Sequence, residues 1–393
     1  MRAALFISPR INVIEDARKA GYQSIIVYTT KNQMTDRMAE LADEVFVFDW
    51  MNYAKSLHYT KSIHEQTPLF RIYGFGEYSV KLASFLSASL NIEGIGLSAV
   101  EKATNKQTMR NILNQHDQHY VFFDTVSSFE ELLKAAEHSN YPFIIKPVSG
   151  AASMNVSKIT SKQDLEAVQQ QFTGEDVYIC EEFLEGKEIS VEAISFSGKH
   201  KVVAMTEKYT TGSPHFIETA HIVPYVPDQQ AEIVEIVQSV LDIVELETGL
   251  SHTEVILTKS GPKIVETHVR PGGDGITDLV RIATGTSMFY ALFLYDLYKI
   301  DLFPEKINYQ FMASNQFFFF PEGKVTQIDG VEELQKMTSI ENFQLPVKEG
   351  DVLQTPTDST NRHGNIILYA KTQEELDRLI LKVKSTLKVT TKK

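Results

Sequence analysis

The sequence contains only one cysteine, Cys180, among its 393 residues. That count excludes an intrachain disulfide and a zinc site built on several thiolates. Long apolar runs are also missing, because the strongest candidate, SMFYALFLY, stops at Asp296, and a membrane-spanning helix needs about 20 apolar residues. The opening residues MRAALFISPR predict a strand and have no signal-peptide core, so we expect a cytoplasmic protein without membrane contacts.

Positive charge is scarce as well. The chain has 38 Lys and Arg residues against 51 Asp and Glu, a net charge of −13, which argues against nucleic acid or an anionic membrane as the main partner. Hydrophobic residues make up 43% and charged residues 23% of the chain, as in soluble globular proteins. The length predicts about two to four domains.

Residues 1–100 alternate apolar strand patterns with helical patterns, which predicts βαβ units and a parallel sheet. The turn Gly74-Phe75-Gly76-Glu77 follows one of these strands, at the edge where parallel sheets bind ligands. With only two glycines it does not form a dinucleotide-binding fingerprint. We interpret it as a substrate-side turn.

The most informative stretch is LSHTEVILTKSGPKIVETHVRPGGDG, residues 250–275. Two β-like runs flank a loop at 258–262 that contains Gly and Pro, which predicts a β-hairpin. A regular ladder gives the pairs Leu257–Lys263, Val255–Val265 and Glu254–Glu266. Because side chains alternate between faces, Glu266, His268 and Arg270 are expected on the same face.

Two carboxylates directly opposite each other on a sheet repel, so a purely structural hairpin would avoid the Glu254–Glu266 pair. A divalent cation removes the conflict, since Mg²⁺ takes carboxylate oxygens together with the phosphate oxygens of a substrate. Arg270 adds a planar donor suited to phosphate or carboxylate. We therefore predict a metal and phosphate site here; the alternative is a solvent-facing hairpin whose charges align by chance.

The strand YPFIIKPVSG carries Lys146 between apolar neighbours, and a lysine buried in a strand needs an anion beside it. The small residues 149–155 follow, and their amides and hydroxyls could wrap a phosphate, although they form no Walker A motif. A plain turn is the alternative for this loop.

The segment TTGSPHFIETAHIVP places His215, Glu218 and His221 at intervals of three residues. No thiolate accompanies them, and their spacing is not a usual zinc-ligand spacing. A zinc hydrolase built on these residues is kept as an alternative that elemental analysis would decide.

Longer patterns organise the rest of the chain. An amphipathic helix start, capped by Thr104 or Asn105, is predicted within residues 101–120. An amphipathic helix is predicted over 229–249 and a buried helix over 278–298. From Asn308 onward, short strands and a final amphipathic helix predict a compact α+β lid.

Taken in order, these motifs resemble the ATP-grasp superfamily of carboxylate–amine ligases across nearly the whole chain. The resemblance implies an α/β and α+β multidomain fold, with an N-terminal open parallel α/β domain, a two-part ATP-grasp fold and a C-terminal α+β lid. The expected domains are residues 1–100, 101–175 with a flap, 176–307 with the metal site, and 308–393.

The resemblance also implies roles for individual residues. Lys106 and Lys146 match the two nucleotide lysines, and residues 149–155, with Ser153 among the nucleotide-binding residues, match the flap. The other nucleotide-binding residues that it implies are Glu181 at the adenine amine, Phe183 and Leu184 through backbone contacts, and Glu188 at the ribose.

The metal ligands that the resemblance implies are Glu254 and Glu266, with His268 where many members have Asn. An imidazole is a poorer ligand for Mg²⁺ than an amide oxygen. The resemblance therefore implies ATP and Mg²⁺, with Mn²⁺ open as a replacement at the second metal position.

Within the superfamily, PHFIETAHIVP followed by ETHVRPGGD is most similar to the dipeptide-forming L-amino-acid ligases of the bacilysin-synthetase type. The similarity implies that Glu218 and His221 hold substrates and that Arg270 and Lys146 are catalytic. It also implies that Arg270 contacts the substrate. A homodimer is common in that family.

The implied activity is ATP-dependent formation of an amide, most simply an L-dipeptide, through an acyl phosphate, with release of ADP and phosphate. The expected partners are ATP and small amino-acid, carboxylate or amine substrates. The alternatives are another ATP-grasp carboxylate–amine ligase or carboxylase, and a nucleotide-binding regulatory protein without turnover.

Overall fold

A computed structural model describes residues 2–138, 141–148, 156–172, 176–212 and 216–392. The α-helices are α1 (Ile11–Ala20), α2 (Asp36–Leu41), α3 (Tyr53–Gln66), α4 (Glu77–Leu90), α5 (Leu97–Thr104), α6 (Lys106–Leu113), α7 (Phe129–His138), α8 (Lys162–Ala167), α9 (Gln230–Ile243), α10 (Ile276–Thr284), α11 (Met288–Tyr298), α12 (Val331–Gln335) and α13 (Gln373–Thr386). Within the described ranges, no helix combines the length and apolar character needed to cross a membrane.

The strands fall into four sheets. They are β1 (Ala3–Ile7), β2 (Ser24–Thr29), β3 (Glu44–Val47), β4 (Leu69–Gly74), β5 (Phe123–Val126), β6 (Phe143–Pro147), β7 (Ser157–Ile159), β8 (Tyr178–Glu182), β9 (Gly186–Phe196), β10 (Lys199–Thr210), β11 (Glu218–Val223), β12 (Gly249–Thr258), β13 (Gly261–His268), β14 (Met312–Phe317), β15 (Gly323–Asp329), β16 (Ile340–Gln344), β17 (Val352–Leu353), β18 (Asn365–Ala370) and β19 (Lys388–Lys392).

The N-terminal region forms a parallel sheet in the order β3-β2-β1-β4, which confirms the predicted open α/β fold. Its central strand β1 is fully buried, as expected for a parallel strand covered on both faces. The strand order reverses between β1 and β4. The loops after these two strands, which begin at Ser8 and Phe75, therefore flank the crevice where such sheets bind ligands.

Two antiparallel sheets follow. The smaller has the order β5-β8-β6-β7, and the larger has the order β13-β12-β9-β10-β11-β14-β18-β16. The C-terminal part of the chain thus adds three strands to the large sheet and builds a separate sheet, β17-β15-β19. Helix α13 packs its buried Leu376 and Val383 against this end of the large sheet, in agreement with the predicted α+β character.

The helix start predicted within residues 101–120 is confirmed, with Asn105 as its cap. Helix α5 ends at Thr104, and the Asn105 side chain caps α6 by accepting from the Thr108 amide at 2.9 Å. The helix predicted over 278–298 is α10 and α11. Gly285 has a φ of 75°, a left-handed conformation that ends a helix, and Ser287 caps the next one.

The hairpin β12–β13 corrects part of the predicted register. Glu254 does lie opposite Glu266, but Val255 pairs with Ile264 and Leu257 pairs with Pro262, so the predicted partners Val265 and Lys263 are wrong. The loop has two residues, and a bulge beside Glu254 leaves Val265 as the extra residue. The bulge restores the opposition of the two glutamates that the shorter loop would otherwise have shifted.

A buried charged network joins the N-terminal sheet to α11. Arg71 on β4 donates to Asp296 at 2.9 Å, and the Tyr73 hydroxyl donates to the other oxygen of Asp296 at 2.5 Å. The side chains of Arg71 and Asp296 are only 4% and 3% exposed. Glu93 also pairs with Arg71 at 2.8 Å. Removal of one member of such a network leaves the others buried without full compensation.

We therefore expect Asp296→Ala to lower the free energy of unfolding by about 3 kcal/mol, measured by urea unfolding. Glu40→Ala, which removes the exposed partner of Arg37, is the control and should change stability little. Equal stability losses in the two variants would contradict the assigned importance of the buried network.

Candidate active site

One cavity of about 670 Å³ lies between the N-terminal sheet, the small sheet and the large sheet. We call it the central cavity. It brings together most of the residues predicted from sequence: Lys106, Lys146, Glu181, Phe183, Leu184, Glu188, Glu218, His221, Glu254, Glu266, His268 and Arg270. The predicted flap, residues 149–155 with Ser153, lies outside the described residues, as does His215.

The opposed glutamates of the hairpin each have a lysine partner. Lys208 lies 2.8 Å from Glu254, and Lys106 lies 3.1 Å from Glu266. Burial alone would raise the pKa of both carboxyls. Lys208 together with His252 at Glu254, and Lys106 together with His268 at Glu266, outweigh burial and hold each pKa well below its usual range. Both glutamates are therefore ionised, and the site contains a pair of facing carboxylates.

Lys208 is the functional residue of the cavity that sequence reasoning missed most clearly. Its side chain is 4% exposed and lies 2.5 Å from Glu188 and 3.9 Å from Glu218, in addition to its contact with Glu254. Burial would lower the pKa of Lys208, but the surrounding carboxylates raise it well above the ordinary value. This one ammonium therefore connects the predicted ribose, metal and substrate residues.

Lys146 has the anion that its buried position required. Its ammonium forms an ion pair with Glu181, whose other oxygen accepts from Arg110 at 3.2 Å. Arg110 also donates to the backbone carbonyls of Ile264 and Val265, at 3.2 and 3.1 Å. Arg110 therefore links the bulge of the β12–β13 hairpin to β8, the strand that carries Glu181.

Arg270 is held by a residue from the N-terminal region. Its Nε donates to Glu77 at 2.8 Å, and its Nη1 donates to the Pro271 carbonyl at 3.0 Å. Burial alone would raise the pKa of Glu77, yet His268 and Arg270 outweigh burial and lower the pKa to about 2. Among the described residues Nη2 of Arg270 has no partner, so this edge of the guanidinium is available to a ligand.

The glycines after Arg270 allow the chain to pass close to a second buried pair. His252 and Glu192 lie 2.8 Å apart beneath the turn. A Cβ on Gly272 would lie 2.8 Å from the His252 ring and 3.0 Å from Glu192, too close for any side chain. The RPGGDG turn therefore needs glycine at this position for steric reasons.

Glu218 and His221 lie at the end of the cavity covered by the C-terminal part of the chain. The Ser359 hydroxyl donates to Glu218, and Arg362 lies 4.0 Å from the same carboxylate. Burial lowers the pKa of His221 to about 3, so its ring is neutral. Neither ring nitrogen has a hydrogen-bond partner in the part of the chain that the structure describes.

Comparisons with known proteins agree with this arrangement. Residues 139–278 match the ATP-grasp domain family, and residues 316–392 match the family described as L-amino acid ligase C-terminal domain 2. The chain is 25% identical over 361 residues to an L-arginine-specific L-amino acid ligase from Bacillus subtilis, covering 88% of this chain and 86% of the relative.

A second relative is an alanine–anticapsin ligase from Bacillus amyloliquefaciens, 30% identical over 198 residues, which covers 44% of this chain and 42% of the relative. Among solved structures, an L-amino acid ligase from Bacillus licheniformis has a TM-score of 0.86 at 19% identity, with 100% of this chain and 99% of that chain covered. Residues 139–278 therefore form an ATP-grasp domain, and residues 316–392 form a C-terminal domain of the L-amino acid ligase type. The predicted two-part ATP-grasp fold with a C-terminal domain is thereby confirmed.

The sequence analysis did not single out Lys208, Arg362 or Arg110. Lys208 and Arg362 line the central cavity, and Arg110 contacts the cavity residue Glu181. Their partners are distant in sequence, such as Glu254, which is 46 residues from Lys208. The sequence offered only a charged residue beside apolar neighbours for Lys208 and Arg110, whereas Glu77 belongs to the turn interpreted as substrate-side.

The donor set fits Mg²⁺ as two carboxylates plus ligand oxygens. Among the described residues no group of three or more His, Cys, Asp and Glu forms a metal centre by itself. Glu254 and Glu266 would hold the ion together with nucleotide phosphate oxygens, which Mg²⁺ prefers. Nε2 of His268 lies 3.0 Å from Glu266 and is committed to it, so His268 as a metal ligand stays a prediction.

Substitution of Arg110 tests whether its contacts stabilise the β12–β13 hairpin, which carries Glu254 and Glu266. We expect Arg110→Met to lower the free energy of unfolding by about 3 kcal/mol, because Glu181 and the bulge carbonyls lose their buried donor. Arg110→Lys should recover only part of this loss, since one ammonium cannot replace the planar fork. Chemical denaturation measures both.

Lys263→Met is the matched control for this test, because Lys263 donates to a backbone carbonyl from an exposed position on the same hairpin. It should change stability little. Unchanged stability in Arg110→Met would show that the hairpin does not depend on this anchor.

Proposed function

We propose that the protein is an ATP-dependent carboxylate–amine ligase that joins two L-amino acids through an acyl phosphate, with release of ADP and phosphate. The observation that carries the proposal is the convergence of Glu254, Glu266, Lys208 and Arg270 in one cavity beneath a C-terminal domain of the L-amino acid ligase type. The names of the relatives support amide-bond formation as the reaction class.

The wall of Lys146, Glu181, Phe183, Leu184 and Glu188 is the proposed nucleotide site. Phe183 and Leu184 supply apolar surface for a base, and Glu188 supplies an acceptor for a ribose hydroxyl. Burial raises the pKa of Glu188 and favours its neutral form, but Lys208 opposes this effect. Lys146 and Lys106 are the proposed phosphate ligands.

Charge balance explains why a divalent ion is needed at this site. Each of the three lysines faces a carboxylate, so their positive charge is already compensated before a polyphosphate enters. A Mg²⁺ ion bound by Glu254 and Glu266 would supply the positive charge for the phosphate oxygens. Catalysis of phosphoryl transfer then depends on positioning and electrostatics, because the protein needs no covalent nucleophile.

In the first proposed step, one amino-acid carboxylate attacks the γ-phosphorus of ATP and forms an acyl phosphate as ADP leaves. In the second, the amine of the other amino acid attacks the acyl carbon, and phosphate leaves as the amide forms. Arg270 is placed to stabilise the oxyanion of the second step, since Glu77 orients it and one edge of its guanidinium faces the cavity.

Glu218 and His221 are the proposed amino-acid ligands. The Glu218 carboxylate suits an ammonium group by charge pairing, and His221 supplies a neutral ring with unpaired nitrogens. Ser359 and Arg362 lie over this end, and a covered site protects an acyl phosphate from water.

The experiment that tests the function is a phosphate-release assay with ATP, Mg²⁺ and pairs of L-amino acids, with mass spectrometry of the products. We expect ADP, phosphate and a dipeptide in equal amounts, dependent on both amino acids and abolished by EDTA. Bicarbonate and single amino acids serve as controls.

Phosphate release with a single carboxylate or with bicarbonate, without a dipeptide product, would indicate another carboxylate–amine ligase or a carboxylase. ATP binding without turnover would assign a regulatory role. Either result would contradict the proposed ligase.

The link between Glu77 and Arg270 gives a second test of the proposal. We expect Arg270→Ala to lower kcat by about 10²-fold or more, as for loss of one oxyanion donor. Glu77→Ala should lower kcat by less. If Glu77 acts only through Arg270, the double variant should be no slower than Arg270→Ala alone.

Glu245→Ala is the control, because Glu245 pairs with Lys102 from an exposed position outside the cavity, and its kcat should be unchanged. Additive losses in the double variant would separate Glu77 from Arg270. Near-normal turnover in Arg270→Ala would remove Arg270 from the chemistry.

A further inference from the structure

One side of the central cavity differs in chemistry from the rest. It is formed by Val13, Phe75, Ile276 and Phe289, which we call the apolar wall. Val13, Ile276 and Phe289 belong to one buried hydrophobic cluster, and Phe75 packs against it, with its ring 4.9 Å from that of Phe289. Half-buried Phe75 therefore presents most of the accessible surface of the wall, and Val13, Ile276 and Phe289 support it from the buried cluster.

The topology of the N-terminal sheet places this wall where a ligand is expected. Val13 lies on α1, which follows β1, and Phe75 directly follows β4. Strand order reverses between β1 and β4, and ligands of open α/β sheets bind outside the carboxyl ends of strands at such a point. The proposed nucleotide residues lie elsewhere, on α6, on β6 and along the segment from β8 to β9. The apolar wall is therefore available to the other substrate.

The wall borders the reactive groups. Glu77, two residues after Phe75, holds Arg270. Ile276 lies 3.2 Å from where a Cβ on Gly272 would be, and Gly272 is two residues after Arg270. Apolar surface next to an arginine with one open edge matches an amino acid that has a charged carboxylate and an apolar side chain. Arg10 also lines the cavity, but it is exposed to solvent.

We propose that the apolar wall receives the side chain of one of the two amino-acid substrates and selects an aliphatic or aromatic side chain. The inference rests on the proposed ligase function and names its substrate class. A charged side chain placed on this wall would lose its hydration without a partner, whereas each apolar carbon gains by burial. Selection by an apolar pocket amounts to roughly 10- to 200-fold per methylene.

Calorimetry on the full chain, with Mg²⁺ and a non-hydrolysable ATP analogue, measures this selection directly. The probes are L-leucine, L-phenylalanine, L-alanine, L-aspartate and L-lysine. We expect L-leucine or L-phenylalanine to bind about ten-fold or more tightly than L-alanine, with L-aspartate and L-lysine weaker still. In Phe75→Ala, the ratio of L-leucine to L-alanine affinity should fall several-fold.

Phe70→Ala is the matched control, because Phe70 lies on the same strand, is half-buried and packs against the same cluster, but does not line the cavity. Its affinity ratio should equal that of the unmodified chain. Phe75→Leu keeps an apolar side chain, should retain most of the selection, and provides the comparison if Phe75→Ala does not fold.

Binding of L-aspartate or L-lysine as tight as that of L-leucine would overturn the assignment, and so would an unchanged L-leucine to L-alanine ratio in Phe75→Ala. Mass spectrometry of products separates this failure from that of the ligase proposal. Dipeptides made only from charged amino acids would overturn the apolar subsite and leave the ligase intact. Selective binding of L-leucine without any dipeptide would support the subsite and remove the ligase function.

Discussion

The opposition of Glu254 and Glu266 across one hairpin is the constraint on which the central cavity depends. Two facing carboxylates repel, and the fold compensates by placing Lys208 of β10 beside Glu254 and Lys106 of α6 beside Glu266. Lys208 in turn attracts Glu188 and lies near Glu218. The charged wall of the cavity is therefore one connected set of pairs, in which each charge is buried because of its neighbours.

The parts of this set that could be predicted from sequence are those determined by local spacing. The glutamates could be aligned because strand alternation and hairpin pairing operate over a few residues, and Lys146 could be singled out because its neighbours are apolar. The exact register could not, since the chain combines a two-residue loop with a bulge at Val265. The shorter loop shifts the pairing by one residue, and the bulge shifts it back. The Glu254–Glu266 pair was therefore predicted correctly, whereas the pairs between the bulge and the loop were not.

Partners supplied by distant segments left no local signal. Glu77 reaches Arg270 across 193 residues, and Arg362 reaches Asp274 across 88. The helix predicted over 278–298 is divided for a different reason, because the local signal was present but weak. Gly285 interrupts a pattern whose apolar periodicity continues on both sides, and this one residue ends α10. Asn105 shows that such a signal can suffice, since it was a predicted cap and does cap α6.

The contact between the N-terminal region and the rest of the cavity follows two simple periodicities. Alternate residues of β4 and its following turn, Arg71, Tyr73, Phe75 and Glu77, each contact the large-sheet part of the chain. Their partners on α11 are Phe289, Phe293 and Asp296, spaced by four and three residues on one helix face.

This pairing of β4 with α11 places the apolar wall and Arg270 next to each other in the cavity. Arg71 and Tyr73 fix β4 on α11 through Asp296, and the same strand direction then carries Phe75 to the apolar wall and Glu77 to Arg270. A shift of one residue along β4 would turn Arg71 and Tyr73 away from Asp296 and would displace Phe75 and Glu77, which follow the strand. The anchoring of the sheet, the position of Phe75 and the orientation of Arg270 therefore all depend on the register of this one strand.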